Sequence, residues 1–408
     1  MRCNEWICED RRMKYRRALS KAIGRRLEEG RGRIQVVSGP RQVGKTTAMK
    51  QALEGYGGSW RYVLADGLRR GTPEWLEAEW EGARLVAASA GERGHWLVVD
   101  EVQKVEGWSE TVKRLWDEDS FAGRNLKVAL LGSSRLLLQK GLGESLAGRF
   151  EALGAWHWSF REMRDAFGFG VEDYVAYGGY PGGVELRGDE ERWRGYVAES
   201  IAEPSLSRDV LQLEPVAKPA LLRQVFVLAC AYSARVLSYQ KMLGQLQDAG
   251  NAATVAHYLR LLGEAGLVKG LEKHAGETVR TKASSPKLAV CNNALATAMS
   301  PHTMEELRRK PELRGRAVES AVGAHLLATA AGTGVEVEYW NEGGREVDFV
   351  LRKGQRVAGL EVKSGGVRGL GGLGAFKRRF PGARTFLVGG DGIGLEEFFG
   401  VGAEEFLR

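Results

Sequence analysis

The sequence predicts an α/β protein of several modules, and three observations carry that prediction. A glycine-rich turn sits between an apolar run and a helical one, a second apolar run ends in paired acids, and alternating runs follow a long helical stretch near the C-terminus. The first of these is RIQVVSGPRQVGKTTAMKQAL. Its β-branched opening reads as a strand and its close as a helix. Between them Gly39, Pro40, Arg41, Gln42, Val43, Gly44, Lys45 and Thr46 fit GxxxxGK(S/T) at every position, with Thr47 following. Glycines at that spacing let backbone N–H groups close around phosphate oxygens, and the helix N-terminus adds its positive dipole end. Lys45 is then placed for the β and γ phosphates of ATP, and the Thr46 hydroxyl for Mg²⁺.

The second observation is HWLVVDEVQ, residues 95–103, a buried strand ending in Asp100 and Glu101. Such a strand end puts Asp100 beside the metal and Glu101 where it polarises an attacking water. A further strand-like run, WRYVLAD, lies between the two motifs. An extra strand there, with a glutamate after the aspartate, is the arrangement of ATP hydrolases rather than of small GTPases or simple kinases. The next strand, KVALLGSS, ends in Ser133 and Ser134, which could sense the γ phosphate. In GESLAGRFEAL, Arg149 is the candidate cation for transferred charge, in its own subunit or a neighbour's. The competing reading is a surface arginine paired with Glu144 or Glu151.

The chain has 408 residues, enough for two to four domains, with 43% hydrophobic and 27% charged content of a soluble globular kind. A net charge of +7 favours an acidic partner such as DNA or RNA only weakly. The excess is concentrated in residues 11–33, with ten Lys or Arg against two Glu. Tyr15, Leu19, Ile23 and Leu27 make one apolar helical face there, so a helix packed ahead of the first strand is favoured over a nucleic-acid arm. Charges interrupt the segment throughout, which excludes a signal peptide. Four scattered cysteines give neither a disulfide framework nor zinc spacing, and no run reaches the roughly 18 apolar residues of a membrane span. A cytoplasmic location is expected.

GPRQVGKTT, VVDEVQ, LLGSS, LAGRF and YGGYPGG, in this order, resemble the prokaryotic AAA-type P-loop ATPases that carry a C-terminal domain of unknown function. That group is similar to the signal-transduction ATPases, whose GxP motif lies beside the nucleotide base. The resemblance covers nearly the whole chain and implies that Gly179 and Pro181 are near the nucleotide. Read by itself, YGGYPGG is a glycine-rich turn after a helix.

Residues 156–212 are helical with aromatic anchors at Trp156, Trp158, Phe160 and Tyr174, as expected of a lid. From 213 to 300, three helices (ALLRQVFVLACAYSA, SYQKMLGQLQDA, and NAATVAHYLRLLGEAGL capped by Asn251) precede two strand-like runs. That is the winged-helix order, and the resemblance agrees. The third helix offers only Arg260, His257 and Thr254 for DNA. The hairpin is more basic, with Lys269, Lys273, Arg280, Lys282 and Lys287. A partner-sensing winged helix therefore stands level with a DNA-reading one. The family usually has an aspartate after the second strand, where this chain has Asn292 and Asn293.

From 301 onward a polar connector leads to RAVESAVGAHLLATAAG, a helix whose Val318, Val322 and Leu326 share a face, with Glu319 beside it. VEVEYW, EVDFVL and VAGLEVKSG follow as strands, and ARTFLVGG as a last one after a glycine-rich stretch. This order resembles the restriction-endonuclease-like fold with its PD-(D/E)xK signature, the separation being 13 positions (361 − 348). Asp348 and Glu361 would ligate a second divalent metal with the Val362 carbonyl between them, and Glu319 could add an outer ligand. Lys363 shares the strand face of Glu361 and could orient water. The alternative is an exposed Glu/Lys pair on an edge strand.

These features predict a P-loop ATPase domain (1–155), a helical lid (156–212), a winged helix (213–300) and a nuclease-like domain (301–408), with nucleotide state repositioning the C-terminal half. ATP and Mg²⁺ are the expected cofactors. DNA, RNA, a protein partner through the winged helix and a second copy of the chain are the candidate partners. An ATP-gated nuclease and a slow, partner-binding nucleotide switch are the alternatives.

Overall fold

Parallel pairing governs the N-terminal part of the chain. In the computed structural model, which describes residues 15–65, 71–132, 143, 145–211, 216–248, 250–275, 284–363 and 371–408, the chain divides into two units, Met1–Ala155 and Trp156–Arg408. In the first, β1 (Ile34–Ser38), β2 (Ser59–Leu64), β3 (His95–Asp100), β4 (Leu126–Gly132) and β5 (Phe150–Gly154) pair in the order β2-β3-β4-β1-β5. Every pairing is parallel. Both faces of a parallel sheet are covered by its crossover helices, and this is why residues 96–99 of β3 and 128–131 of β4 read as unbroken apolar runs.

Alternation sends the two sets of side chains to different layers. Ile34, Val36, Leu97, Val99, Val128 and Leu130 pack with Trp80 of α3 (Pro73–Ala87) and with Trp108, Val112 and Leu115 of α4 (Trp108–Phe121). Val37, Val98, Ala129 and Leu131 pack with Ile23 and Leu27 of α1 (Ala18–Leu27) and with Ala48, Met49 and Leu53 of α2 (Lys45–Glu54). The apolar face expected of the basic N-terminal segment is thus turned inward from residue 18, and its arginines are used locally. Arg31 donates to Leu126 O at 2.9 Å and to Trp116 O at 3.0 Å, and Arg26 pairs with Glu151 at 2.5 Å.

The second unit starts with short helices (Phe160–Phe167, Val171–Tyr177, Glu190–Gly195) that bury Trp158, Phe160 and Tyr174. Helices Pro219–Ala231, Tyr239–Leu243 and Ala252–Glu264 then precede the antiparallel pair β6 (Val268–Leu271) and β7 (Lys287–Val290). Asn251 caps the third of these helices by accepting the Thr254 N–H at 2.9 Å. Val236 adds one antiparallel bridge to Lys287.

The C-terminal sheet has the order β11-β10-β9-β8, from β8 (Glu336–Glu342), β9 (Arg345–Lys353), β10 (Arg356–Val362) and β11 (Arg384–Val388). The β10–β11 pair is parallel, and the other two pairs are antiparallel. Gly343 and Gly344, at φ 59° and 75°, make the tight turn between β8 and β9 that only φ > 0 at both positions permits. The glycine-rich stretch after β10 contains a helix, Gly371–Arg379, where sequence reading gave none. Packing overrides propensity here. Phe376 is fully buried against the sheet, and a Cβ on Gly359 would stand 2.8 Å from its ring. Among the described residues no helix is long and apolar enough to cross a membrane.

His325 lies in the helix Pro311–Ala330, is 1% exposed, and shares a 2.7 Å hydrogen bond through Nε2 with Val401 O. Burial pushes its pKa down to about 4, against a smaller opposing effect of that bond. The unfolded chain takes up this proton near pH 6.5 and the folded one does not. Stability is therefore lost as pH falls from 6.5 toward 4, by about 3 kcal/mol at most from this group. Thermal unfolding followed across that range should fall steeply for the native chain and less for His325→Gln.

Candidate functional site

The glycine loop and the acidic strand end meet at the end of the parallel sheet. β1 leads into residues 39–44, and α2 starts at Lys45 behind Gly44, whose φ of 83° is left-handed. Gln42 is also left-handed, at φ 60°, so the loop curls twice before the helix begins. Lys45 is 6% exposed, and its Nζ donates to Gly39 O at 3.0 Å and Pro40 O at 2.7 Å. Gly39 has no room for a side chain, since a Cβ there would lie 1.9 Å from Ala155 O. The chain leaving β5 presses on the loop at this point, with Ala155 N bonded to Ser38 O at 2.7 Å.

Asp100 gathers the second half of the site. It is 2% exposed, and Oδ2 accepts the Thr46 hydroxyl at 2.8 Å while Oδ1 accepts the Glu101 N–H at 2.9 Å. Tyr62 of β2 also donates to Oδ2. Burial, and then the Asp100 charge, raise the Tyr62 phenol well above its ordinary range, so it remains a donor. Glu101 is left-handed at φ 55°, an uncommon state for a non-glycine residue that turns the chain sharply off β3. Its Oε2 accepts the Gln103 amide at 2.5 Å. Thr46 and Asp100 together present adjacent hard oxygens, a donor set that suits Mg²⁺.

Two residues of this site escape sequence reasoning. Arg17, at the start of α1 and only 7% exposed, donates to Val43 O at 2.6 Å and so tethers the phosphate loop. The basic segment hides it among nine other cations. Tyr62 reads as one strand aromatic among several, and only the β2–β3 pairing brings it to Asp100. Ser133 and Ser134 lie outside the described residues, as does Glu144. Arg149 does not pair with Glu151. It forms a forked pair with Asp117 of α4, at 2.7 and 2.9 Å, because the chain entering β5 passes that helix. The Arg149 hydrogen bond in turn lowers the Asp117 carboxyl.

Gly179 and Pro181 belong to the second unit. A Cβ on Gly179 would lie 2.1 Å from Trp158 O, and Pro181 opens a short helical turn, Pro181–Leu186. Asn292 explains the departure at the usual aspartate. Its Oδ1 accepts from Gly179 N at 3.0 Å and Ala294 N at 3.2 Å, and its amide meets His157 Nδ1 at 3.2 Å. An aspartate could accept the first two bonds but has no N–H for an acceptor ring nitrogen.

The C-terminal acids are brought together around a lysine. Lys287 of β7 is 5% exposed, and its Nζ donates to Glu319 Oε1 at 2.6 Å, Asp348 O at 3.1 Å and Asp348 Oδ1 at 3.3 Å. It is therefore no exposed basic residue of the hairpin, as its sequence neighbours suggest; all of β7 is buried, and the Lys287 ammonium ends on the two acids. Asp348 Oδ2 is taken by the Val362 N–H at 2.8 Å. Glu361, 5% exposed, accepts from Lys363 at 2.7 Å, and its other oxygen has no hydrogen-bond partner. Burial lowers the Lys287 ammonium pKa, but Asp348 and Glu319 outweigh it and the net direction is up. Burial pushes Glu319 up to about 7, with Lys287 opposing. One ammonium thus serves two carboxylates, and Glu319 is the surplus one. Among the described residues no three His, Cys, Asp or Glu side chains come together as a metal could need. The set does not fit a divalent ion as it stands.

The parallel sheet in this strand order, with a glycine loop after β1 and Asp100–Glu101 ending β3, is the arrangement of an AAA-type P-loop domain. Residues 31–164 match the family model of an AAA domain. Residues 169–306 and 314–386 match two domains of unknown function, DUF8612 and DUF4143. Similar solved structures include the Walker-type ATPase PABY2304 of Pyrococcus abyssi, at 17% identity and TM-score 0.46 over 71% of this chain and 97% of that one. The Aeropyrum pernix ORC1 protein in complex with DNA is 17% identical, TM-score 0.28, over 69% and 91%. AMPPCP-bound DnaA from Aquifex aeolicus is 13% identical, TM-score 0.31, over 61% and 86%. No curated protein matches the sequence.

Gly39→Ala should cost roughly 1–3 kcal/mol through the clash with Ala155 O, read as a lower denaturation midpoint; an unchanged midpoint would show that the chain after β5 yields freely. Arg149→Ala, which breaks a half-exposed pair, should cost only ~0.5 kcal/mol in the same assay.

Proposed function

We propose that the chain is a Mg²⁺-dependent ATP hydrolase with Lys45, Thr46, Asp100 and Glu101 as its working residues. The observation that carries this reading is the 2.8 Å bond between Thr46 and Asp100, beside the buried Lys45. The loop from Gly39 to Thr47, through Pro40, Arg41, Gln42, Val43 and Gly44, would wrap the phosphates with backbone N–H groups at the N-terminus of α2. Lys45 would exchange its two carbonyl acceptors for β and γ phosphate oxygens. Mg²⁺ bound with the nucleotide supplies neutralising charge at those oxygens, and Thr46 and Asp100 are the residues that would hold it. Glu101, held by Gln103, is the group to orient the attacking water and accept its proton. Tyr62 keeps Asp100 pointed inward, and Arg17 fixes the loop. Arg149 contributes to turnover only if it leaves Asp117, and Ser133 is retained as the γ-phosphate sensor.

For the second unit, we read 156–212 as the lid, with Pro181 in its glycine-rich turn, 213–300 as a winged helix and 301–408 as a restriction-endonuclease-like module. Three helices, a hairpin and the Val236 bridge support the middle assignment. Its third helix is poorly suited to a DNA groove, since Arg260 is paired with Glu264 at 2.7 Å. Among the described residues the basic side chains left to the hairpin for a nucleic acid are Lys269 and Lys273; Arg280 and Lys282 lie outside them. A nucleotide-dependent switch that binds a protein partner is the second reading, and the paired third helix favours it over DNA reading.

Phosphate release from ATP decides between hydrolase and slow switch. Glu101→Gln should lower turnover about 10²–10⁴-fold while nucleotide still binds, and Lys45→Ala should lose both. Undiminished turnover in Glu101→Gln overturns its assigned role.

A further inference from the structure

The carboxylates of the C-terminal sheet already have a cation. Lys287 donates to Glu319, to the Asp348 carboxylate and to the Asp348 carbonyl, all within 3.3 Å. Three observations besides the ion pair tie its strand pair to this sheet. Tyr339 N donates to Glu272 O at 3.0 Å, and His274 N donates to Tyr339 O at 2.6 Å, so the chain after β6 extends the sheet beyond β8. His274 meets Glu338 at 2.6 Å, both side chains being buried. The Tyr339 hydroxyl donates to Ser285 O, just ahead of β7.

A restriction-endonuclease-like module needs its paired acids free to hold a divalent ion. Here Asp348 is spent on Lys287 and on the Val362 N–H, the outer acid Glu319 is spent on Lys287 as well, and Glu361 accepts from Lys363 through one oxygen. An ammonium and a divalent ion cannot share the space between Glu319 and Asp348, because the buried positive charges would repel with little solvent to screen them. We propose that Lys287 is the resident cation of the Glu319–Asp348 pocket, so that the acids hold the β6–β7 hairpin instead of a metal and the module is a docking platform with no metal-dependent nuclease activity. The inference is independent of the ATPase reading, since it concerns the second unit alone.

The test titrates Mn²⁺ into the full chain without nucleotide, by calorimetry, for the native protein, Lys287→Met, Asp348→Asn and the double variant. The native chain should show no binding that Asp348→Asn removes. Lys287→Met, which leaves Glu319, Asp348 and Glu361 uncompensated, should gain a site at least ten-fold tighter, lost again in the double variant. Native binding of Mn²⁺ that depends on Asp348 overturns the proposal, and that arm decides even if Lys287→Met does not fold. A folded Lys287→Met with no gain of affinity overturns it as well. Phosphate release from ATP plays no part in either outcome.

Discussion

The nucleotide site depends on a constraint of sheet order. β4 lies between β1 and β3, so the loop that follows β1 and the acids that end β3 start roughly 10 Å apart, two strand spacings of about 4.8 Å. Register removes the remaining freedom. Val36 and Val99 both stand opposite Leu130, which puts Asp100 level with Val37, two residues below the start of the loop. The first turn of α2 then crosses the intervening strand, and Thr46 reaches Asp100 at 2.8 Å. The apolar layers on both faces fix that register, because a slip of one residue would send each set of side chains to the wrong face.

Buried charge recurs in both units, with different consequences. In the first, Asp119 is fully buried and accepts from Arg84 at 2.7 Å and from the Trp80 indole at 2.8 Å, so α3 and α4 are locked by a satisfied polar pair. Asp100 is equally buried, but its partners are two hydroxyls and an N–H, none of them a cation. Neutral donors around a carboxylate suit the metal-holding role proposed for Asp100. Asp348 faces an ammonium instead. That contrast underlies the different roles proposed for the two carboxylates.

Much of this was legible in the sequence, and for a physical reason. The phosphate loop, the acidic strand end, the Asn251 cap and the strand runs of the last hundred residues are local patterns, set by backbone geometry within a few positions. What escaped depends on distant partners. Arg17 acts on Val43, Tyr62 on Asp100, Arg149 on Asp117 and Asn292 on Gly179, and no local spacing announces any of these. Lys287 is the sharpest case. In sequence it belongs with Lys269 and Lys273 as an exposed basic residue of a hairpin, whereas in the fold it neutralises acids 32 and 61 positions away. The helix Gly371–Arg379 escaped because its glycines argue against it, and only the buried Phe376 argues for it.

The central claim is that Thr46 and Asp100 form the metal-holding half of an ATPase site. The Mg²⁺ dependence of phosphate release by Asp100→Asn tests it most directly, with nucleotide affinity measured alongside. The account predicts that the Mg²⁺ concentration for half-maximal turnover rises at least ten-fold while affinity for ATP without metal stays near that of the native chain. An unchanged Mg²⁺ requirement would contradict it.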